Sequence, residues 1–342
     1  MRNRNKIGKY IPAVVFLIFI YGMALWFVFS PKPDYSSSEK RYLQKFPEVT
    51  AEKLLSGDFG SEFETFFADR FPQRNTWVGL NAYTALAEGN NGASGVYNCK
   101  NGYLINEPVS TENNLDKNIG AVADFAKSID TPTTVMLVPS TGYIVNDVLP
   151  TFHDKYNDDE DISKISSTLS KDKIGFVDLR ERFKSEYKNG SQLYYKTDHH
   201  WTTKGAYTGY QELCKALGIT PIDDSTLKKD SYPDFYGTTY SSSGFWLTPP
   251  DNIEIWNNPK NSDRNISVKI TEGANIKTSG SMYFTDHLKE DDKYPVFIDG
   301  NHALTEITNT NAKNGTILLI KDSFSHSLAP FLAENYSKVV LV

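Results

Sequence analysis

The chain has 342 residues, of which 39% are hydrophobic and 23% charged, as is ordinary for a folded globular protein. Its formal net charge of −6 argues against a nucleic-acid-binding protein, for which a basic surface would be expected. The two cysteines, Cys99 and Cys214, do not lie in a CxxC or Cys/His metal-binding spacing, and the sequence leaves open whether they form a disulfide.

The N-terminus contains a segment long enough to span a membrane. Four basic residues precede an uncharged apolar run of 19 residues from Ile11 to Phe29, which as a helix extends about 28 Å, close to the thickness of a hydrocarbon core. The basic residues are Arg2, Arg4, Lys6 and Lys9. The run ends in bulky side chains rather than in the small residues of a signal-peptidase site. Residues 1–30 are therefore predicted to be a cytoplasmic tip and a single transmembrane anchor.

The next part of the chain is predicted to be a linker followed by helices. Residues 31–53 form the linker, and residues 54–342 form one large folded domain outside the cytoplasm, because the basic flank stays inside. Aromatic residues at helical spacing predict helices between Leu54 and Leu86 with an interruption at Pro72. The stretch 95–105 is predicted to be a β-hairpin that turns at Asn-Gly.

The rest of the domain is predicted to alternate between helices and strands. Helices are predicted at 112–128, 159–170, 179–188, 203–217 and 325–336, and strands at 134–138, 174–178, 317–320 and 339–342. Thr202 or Thr203 is expected to cap the fourth helix, and Gly218 to follow its end. This alternation predicts an α/β fold with a mainly parallel sheet and helices on both faces.

Two further features of the chain lead to expectations. Residues 231–310 are rich in Ser, Asn, Tyr and Gly and are predicted to be a mostly β insertion. The sequence ends inside the last predicted strand, and it leaves open whether the C-terminus is complete.

A cluster of ionisable residues, Asp198-His199-His200, lies in a predicted turn between an extended segment and a helix. Asp and His are zinc ligands, but adjacent histidines diverge and form a poor chelate. A metal site would need further ligands from the remaining histidines, which are His153, His287, His302 and His326. A surface turn without a chemical role is another interpretation of this cluster. We favour a histidine base oriented by its carboxylate.

The second cluster is the turn Lys321-Asp322-Ser323 between the strand 317–320 and the helix 325–336. A serine there lies at the C-terminal edge of the sheet, where open α/β folds bind ligands. The start of the helix supplies backbone N–H groups for a developing oxyanion. By itself such a serine is more often a helix cap, but together with an Asp-His turn it becomes a candidate nucleophile.

The sequence resembles the DHHW protein family, which is similar to the alginate O-acetyltransferase-like branch of the SGNH hydrolases. The resembling stretches are TDHHWT at 197–202, KDSFS at 321–325, FPQR at 71–74, FYGTTYSSSG at 235–244 and DGNHAL at 299–304. The resemblance implies an SGNH hydrolase-like fold with Asp198 and His200 in the Asp-x-His positions, His199 at the variable position and Ser323 as nucleophile.

The chain departs from this pattern at two places. Lys321 stands where the serine block of SGNH hydrolases usually has Gly, and no segment clearly matches their asparagine block. Gly300-Asn301 is the candidate for the oxyanion site, with a plain hairpin turn as the alternative. Trp201 and Tyr240 are further candidates for substrate binding. The resemblance implies neither a cofactor nor a metal ion.

The resemblance implies an extracytoplasmic serine-dependent O-acetyltransferase that modifies a cell-surface polysaccharide through an acyl-enzyme on Ser323. A membrane O-acyltransferase partner would supply the acyl group, because cytoplasmic donors cannot reach the domain. A carbohydrate acetylesterase would use the same Ser-His-Asp triad. A non-catalytic polysaccharide-binding or assembly factor would not need Ser323, and a metal-dependent hydrolase would need further ligands.

The predicted topology can be tested directly. If residues 1–30 anchor the chain with its bulk outside, protease added to intact protoplasts should degrade the domain that follows the anchor. Complete protection would contradict this orientation, and release of the domain into the medium would indicate cleavage instead.

Overall fold

The computed structural model describes residues 8–36, 38–109, 114–172 and 174–342. Arg2, Arg4 and Lys6, and the first two residues of the helix predicted at 112–128, lie outside the described residues. The chain divides into two compact units, Met1–Asn81 and Ala82–Val342. The boundaries predicted at residues 30 and 53 stay predictions.

The first unit begins with helix α1, Ile11–Phe29, which has the predicted bounds. Within the described residues it is the only helix that is long and apolar enough to cross a membrane. A short hairpin of β1 (Tyr35–Ser36) and β2 (Arg41–Tyr42) follows. Three further helices then begin in this unit: α2 Ala51–Ser56, α3 Asp58–Asp69 and α4 Arg74–Ala87. The predicted break before α4 is present, and Gly57, at φ +87°, adds a second one between α2 and α3.

The second unit contains the predicted mixture of helices and strands. Its helices are α5 Leu115–Ser128, α6 Thr141–Ile144, α7 Asp158–Lys171, α8 Arg180–Lys188, α9 Thr203–Leu217, α10 Thr238–Ser243 and α11 Ser325–Leu332. Its first strands are β3 Gly92–Ala93, β4 Val96–Asn98, β5 Leu104–Asn106, β6 Thr134–Leu137 and β7 Gly175–Asp178. The later strands are β8 Lys228–Phe235, β9 Asp251–Asn257, β10 Ile266–Glu272, β11 Asn275–Ser279, β12 Leu304–Asn309, β13 Asn314–Leu319 and β14 Tyr336–Leu341.

The prediction of a mainly parallel sheet is wrong. The largest described sheet has five strands in the order β11-β10-β12-β14-β13, and only its β13–β14 pair is parallel. The connection between β12 and β13, residues 310–313, is short and therefore reverses the chain. Strand β14 then inserts between β12 and β13, so that it is antiparallel to one and parallel to the other. A second parallel pair, β6–β7, is described as a separate two-stranded sheet.

The segment 231–310 is rich in strands, as predicted, and part of it joins the central sheet; that it is an insertion stays a prediction. Strands β10 and β12 from this segment pair with each other, and β12 pairs with the C-terminal strand β14. Inward-facing Val268 and Ile307 are fully buried with Val339 of β14 in one hydrophobic core. The segment therefore forms part of the central sheet.

Helix α9 begins and ends where its sequence predicts. The Thr202 hydroxyl accepts a hydrogen bond from the N–H of Gly205, and Gly218 ends the helix at φ +67°. Tyr210 on its buried face stacks on Phe331 of α11, with 5.6 Å between ring centroids. Because α9 follows the Asp198-His200 turn and α11 follows Ser323, this contact brings the two candidate segments together.

Both cysteines are free and buried. Burial raises the pKa of the Cys99 thiol to about 12 and that of Cys214 to about 11. They therefore behave as small apolar side chains rather than as a disulfide or as reactive thiols.

Candidate active site

The Asp198-His200 turn is closed by backbone pairing and by one buried carboxylate. Tyr194 forms a β-bridge with Trp201, and the N–H of Thr202 donates to the carbonyl of Leu193. One carboxylate oxygen of Asp251 accepts hydrogen bonds from the N–H groups of Lys196 and Thr197, at 2.9 and 2.8 Å, and from the Thr197 hydroxyl at 2.7 Å. These contacts hold the backbone on both sides of Asp198-His199-His200 in place.

Asp198 orients His200 within this turn. The Asp198 side chain is buried, and its Oδ1 accepts hydrogen bonds from the backbone N–H of His200 at 2.9 Å and from its Nδ1 at 2.5 Å. Because an ionised carboxylate only accepts, Nδ1 of His200 carries the proton and Nε2 is left as an acceptor.

The second nitrogen of His200 faces the serine. His200 Nε2 lies 2.7 Å from Ser323 Oγ, across 123 residues of sequence. With Nδ1 protonated, the serine hydroxyl is the donor in this bond. The structure thus brings the predicted residues Asp198, His200 and Ser323 into one hydrogen-bonded chain, which is the arrangement in which a base withdraws a serine proton.

The carboxylate of Asp198 is ionised although it is buried. Burial by itself would raise the pKa of Asp198, but the hydrogen bond and charge of His200 outweigh it, with help from the N–H of Thr238, and hold this pKa well below its usual range. The second oxygen, Oδ2, accepts from the Thr238 N–H at 2.7 Å and from its hydroxyl at 3.1 Å. A fixed negative charge therefore lies beside Nδ1 of His200, where it would stabilise a protonated imidazole.

Aromatic rings hold the imidazole and the serine turn. The Tyr294 ring stacks on His200 with 3.9 Å between centroids and 12° between planes, and its hydroxyl donates to the carbonyl of Ser323. Trp201 is buried, and its Nε1 donates to the carbonyl of Phe324 at 3.0 Å. Trp201 therefore supports the serine turn from within the core, and substrate binding by it stays a prediction.

Sequence reasoning missed two residues that touch Asp198. Thr238 supplies two of its hydrogen bonds, and Gly237 packs so closely on it that an added Cβ would lie 2.3 Å from Oδ2. Both lie in the quoted stretch at 235–244, and the Gly-Thr pair was the available signal. Tyr294 was also missed, because nothing local distinguishes it among 20 tyrosines.

Lys321, Asn301 and His326 form a polar cluster behind the serine turn. Lys321 Nζ donates to Asn301 Oδ1 at 2.6 Å and lies 3.0 Å from His326 Nε2. An ammonium only donates, so His326 Nε2 is the acceptor and its Nδ1 carries the proton. His326 is buried, and its Nδ1 has no partner among the described residues. Burial, with the nearby charge of Lys321, lowers the pKa of His326 to about 3.

The oxyanion candidates lie beside this cluster. The Gly300 N–H donates to the carbonyl of Phe297, Gly300 has φ +86°, and the Asn301 side chain contacts Lys321. In the described part of the chain no hydrogen bond joins Asn301 to Ser323, and the N–H of Ser323 donates none. A role for Gly300 and Asn301 at the oxyanion therefore stays a prediction.

Tyr240 lies near the turn through its backbone, since its N–H donates to the carbonyl of Thr197 at 2.9 Å. Its ring packs against Tyr236 with 4.4 Å between centroids, and its hydroxyl donates to the carbonyl of Trp246. These contacts give Tyr240 a packing role, and substrate binding by it stays a prediction.

The second histidine of the pair has a different environment. His199 is partly exposed, and its Nδ1 lies 2.6 Å from the hydroxyl of Thr238. Ligand atoms of Asp198, His199 and His200 come within 4.8 Å of one another, close enough to hold a metal ion. However, both nitrogens of His200 already bond Asp198 and Ser323, which favours a base over a ligand.

The close contact of Gly237 with Asp198 makes a prediction. In Gly237→Ala the new Cβ would lie 2.1 Å from Cβ of Asp198, so the carboxylate or the chain must move. We expect the free energy of unfolding, measured in urea, to fall by about 1–3 kcal/mol. The matched control is Gly120→Ala in α5, where the added Cβ meets nothing within 4 Å. Equal stability of Gly237→Ala and wild type would contradict the described packing.

The buried His326 makes a prediction about pH. Its pKa of about 3 in the folded chain lies below its ordinary 6.5, so between these values the unfolded chain binds the extra proton. The stability that His326 contributes is therefore complete above pH 6.5 and is lost as the pH falls towards 3. In His326→Gln the unfolding free energy should fall less steeply over this range, by up to about 1.4 kcal/mol per pH unit. The exposed His153→Gln is the control, and parallel pH profiles of His326→Gln and wild type would contradict the assignment.

Comparison with known proteins identifies relatives by fold and by family. A DHHW family protein from Eubacterium siraeum matches at TM-score 0.59 with 17% identity, over 73% of this chain and 82% of that chain. Bacillus cereus PatB1 with a sulfonyl adduct matches at TM-score 0.58 with 20% identity, over 71% and 84%. The O-acetyltransferase domain of Pseudomonas putida AlgJ gives a TM-score of 0.45 with 14% identity, over 71% and 78%.

The first two of these likenesses show a shared fold. No curated protein matches the sequence. The profile of the DHHW protein family matches residues 109–342, which is more than half of the chain and includes Asp198, His200 and Ser323. The chain belongs to the DHHW protein family.

Proposed function

We propose that the protein is an extracytoplasmic O-acetyltransferase that transfers an acetyl group to a polysaccharide hydroxyl through an acyl-enzyme on Ser323. The observation that carries this proposal is the position of His200. Its Nε2 lies 2.7 Å from Ser323 Oγ, while its Nδ1 lies 2.5 Å from the buried carboxylate of Asp198. Such a histidine can take the serine proton and return it without changing position.

The first half of the reaction acylates the serine. His200 Nε2 takes the proton of Ser323 as Oγ attacks the carbonyl carbon of an acyl ester or thioester. The Oγ–C bond forms, the bond from that carbon to the donor's oxygen or sulfur breaks, and the proton on His200 passes to the leaving group. Asp198 stays ionised throughout and stabilises the imidazolium between these transfers.

The second half moves the acyl group to the acceptor. His200 Nε2 takes the proton of an acceptor hydroxyl, whose oxygen attacks the acyl carbon. The bond from this carbon to Ser323 Oγ breaks, and Oγ recovers the proton from His200. If water takes the place of the acceptor, the same steps make the protein an acetylesterase.

The developing negative charge needs donors near the acyl oxygen. The N–H of Ser323 donates no hydrogen bond within the described residues and lies just before α11, whose first turn contributes a positive dipole end. We assign the Ser323 N–H to the oxyanion site, with Asn301 as the second candidate.

The N-terminal helix supports an extracytoplasmic location for the reaction. Helix α1 is long and apolar enough to anchor the chain, and the residues after it are proposed to lie outside the cytoplasm. Acyl groups made in the cytoplasm would then need a membrane O-acyltransferase partner that passes them across, and the acceptor would be a cell-surface polysaccharide.

Substitutions in the hydrogen-bonded chain test the proposed chemistry. We expect Ser323→Ala and His200→Ala to lower the rate of aryl acetate cleavage by about 10⁴–10⁶-fold, with Asp198→Ala also severely impaired. His199→Ala should lose no more than about tenfold, because His199 contacts Thr238 rather than the serine. Rates are measured on the full chain in detergent, and circular dichroism checks that each variant folds.

Two further measurements separate the alternatives. A sulfonyl fluoride should label Ser323 in wild type and not in Ser323→Ala; PatB1, which shares the fold, has been solved with a sulfonyl adduct. Activity should survive EDTA. An inactive His199→Ala beside an active His200→Ala would reverse the histidine assignment. Full activity in all four variants would contradict the serine mechanism, and zinc-dependent recovery after EDTA would indicate a metal-dependent hydrolase.

A further inference from the structure

Helix α3 separates aromatic side chains from polar ones. Its aromatic residues recur at intervals of three and four residues, which places them on one side of the helix. They are Phe59, Phe63, Phe66 and Phe67. The opposite side carries polar residues, namely Asp58, Ser61, Glu62 and Thr65. The two sides of α3 therefore suit two different surroundings.

The aromatic side of α3 continues onto the segment between β2 and α2. The ring centroid of Phe46 lies 6.0 Å from that of Phe63 and 5.4 Å from that of Phe66. We call Phe46 and the four phenylalanines of α3 the aromatic face. Phe46 is 57% exposed, and Phe63 and Phe67 are each 40% exposed. Contiguous exposed apolar surface of this kind marks an interaction site.

The contact between the aromatic face and α1 indicates what covers the face. Phe27 lies two residues before the end of α1, and its ring centroid lies 4.7 Å from that of Phe67. The ammonium of Lys32 lies 4.3 Å from the centroid of the same Phe27 ring. In a helix that crosses a membrane, a cation just beyond the apolar run lies among the headgroups, and rings at that end lie at the interface. When α1 crosses a membrane, the aromatic face is therefore level with the boundary between headgroups and hydrocarbon.

A second ring contact lies further along α1. The Trp77 ring of α4 lies 6.4 Å from that of Phe19, between centroids. Phe19 is eight residues before Phe27, which is about 12 Å along the helix. Trp77 is 42% exposed, and its indole N–H donates to the carbonyl of Pro72 at 3.1 Å. The polar group of this side chain is therefore satisfied without water, as a ring in contact with lipid requires.

One cation lies over the aromatic face, and it is paired. Arg70 is buried, and its guanidinium carbon lies 4.9 Å from the centroid of the Phe66 ring. The guanidinium donates to the carbonyl of Gln44 and pairs with the carboxylate of Asp34 at 3.5 Å. A paired cation costs less beside a medium of low dielectric than an unpaired one. The charge of Arg70 is therefore compatible with lipid over the face.

We propose that the aromatic face lies in the outer leaflet of the membrane that α1 crosses, with its rings between the lipid headgroups and the start of the acyl chains. The first unit is then held against the bilayer by α3 as well as tethered to it by α1. Lipid is the occupant because the face is continuous with Phe27, whose helix is itself surrounded by lipid. The inference rests on the proposed membrane location and not on the chemistry of Ser323.

Spin labels attached to single introduced cysteines test the inference. The full chain, purified alone, is placed in vesicles of equal parts phosphatidylcholine and phosphatidylglycerol. The labelled positions on the face are Phe46→Cys and Phe63→Cys, and the matched control is Ser61→Cys on the polar side of α3. Cys99 and Cys214 are buried, and the unsubstituted chain measures any label that they take up.

Each label is exposed to two relaxing reagents, oxygen, which concentrates in hydrocarbon, and a nickel chelate, which stays in water. We expect the ratio of oxygen collisions to nickel collisions to be at least about fivefold higher at Phe46→Cys and Phe63→Cys than at Ser61→Cys. Circular dichroism checks that each labelled chain folds. Phe46 lies outside the helices, so Phe46→Cys tests the inference even if Phe63→Cys does not fold.

Two results at the face would overturn the inference. Equal access of the nickel chelate to the face and to Ser61→Cys would show that water covers the face. Protection of the face from both reagents would show that protein covers it, such as a second copy of this chain.

A label in α1 separates failure of the face from failure of the anchor. Ile18 lies near the middle of α1 and is 67% exposed, so Ile18→Cys should show the high oxygen ratio of hydrocarbon. A label in water at Ile18→Cys would overturn both the inference and the proposed membrane location. The proposed chemistry fails on a different observation, the absence of an acyl group on Ser323 in the wild-type chain.

Discussion

The carboxylate of Asp198 is buried at 2% exposure, and such a charge is tolerated only where hydrogen-bond donors replace water. Four donors do so, the backbone N–H and Nδ1 of His200 and the backbone N–H and hydroxyl of Thr238. These donors belong to two segments, the turn at His200 and the start of α10 at Thr238, and the carboxylate holds both segments in place. Gly237 has to lack a side chain for this packing, and Asp251 has to hold the start of the turn. One buried charge therefore determines the geometry that surrounds the candidate base.

The sheet supplies the other half of the site. Strand β13 ends just before the serine turn, and α11 returns the chain to the adjacent parallel strand β14. The antiparallel strands β10 and β12 extend this sheet, and the chain between β11 and β12 carries Tyr294 to the face of His200. The site thus combines a local strand-turn-helix unit, which carries Ser323, with distant segments that position His200.

Local signals in the sequence predicted much of this arrangement. The ends of α9 follow from Thr202 and Gly218, and the serine turn follows from an apolar strand before a helix. The direction of the strands could not be predicted, because it depends on β14 inserting between β12 and β13. Two contacts of the site could not be predicted either, because neither leaves a periodic pattern in the sequence. Thr238 donates to the carboxylate of Asp198, 40 residues earlier, and the Asn301 side chain accepts from Lys321.

The central claim is that Ser323 carries the acyl group. The direct measurement is mass spectrometry of the full chain in detergent, quenched in acid after brief incubation with p-nitrophenyl acetate and digested to peptides. The account predicts one added acetyl group on the peptide that contains Ser323 in wild type, and none on that peptide in His200→Ala. An acetyl group that appears equally in both proteins, or only on lysines, would contradict the account.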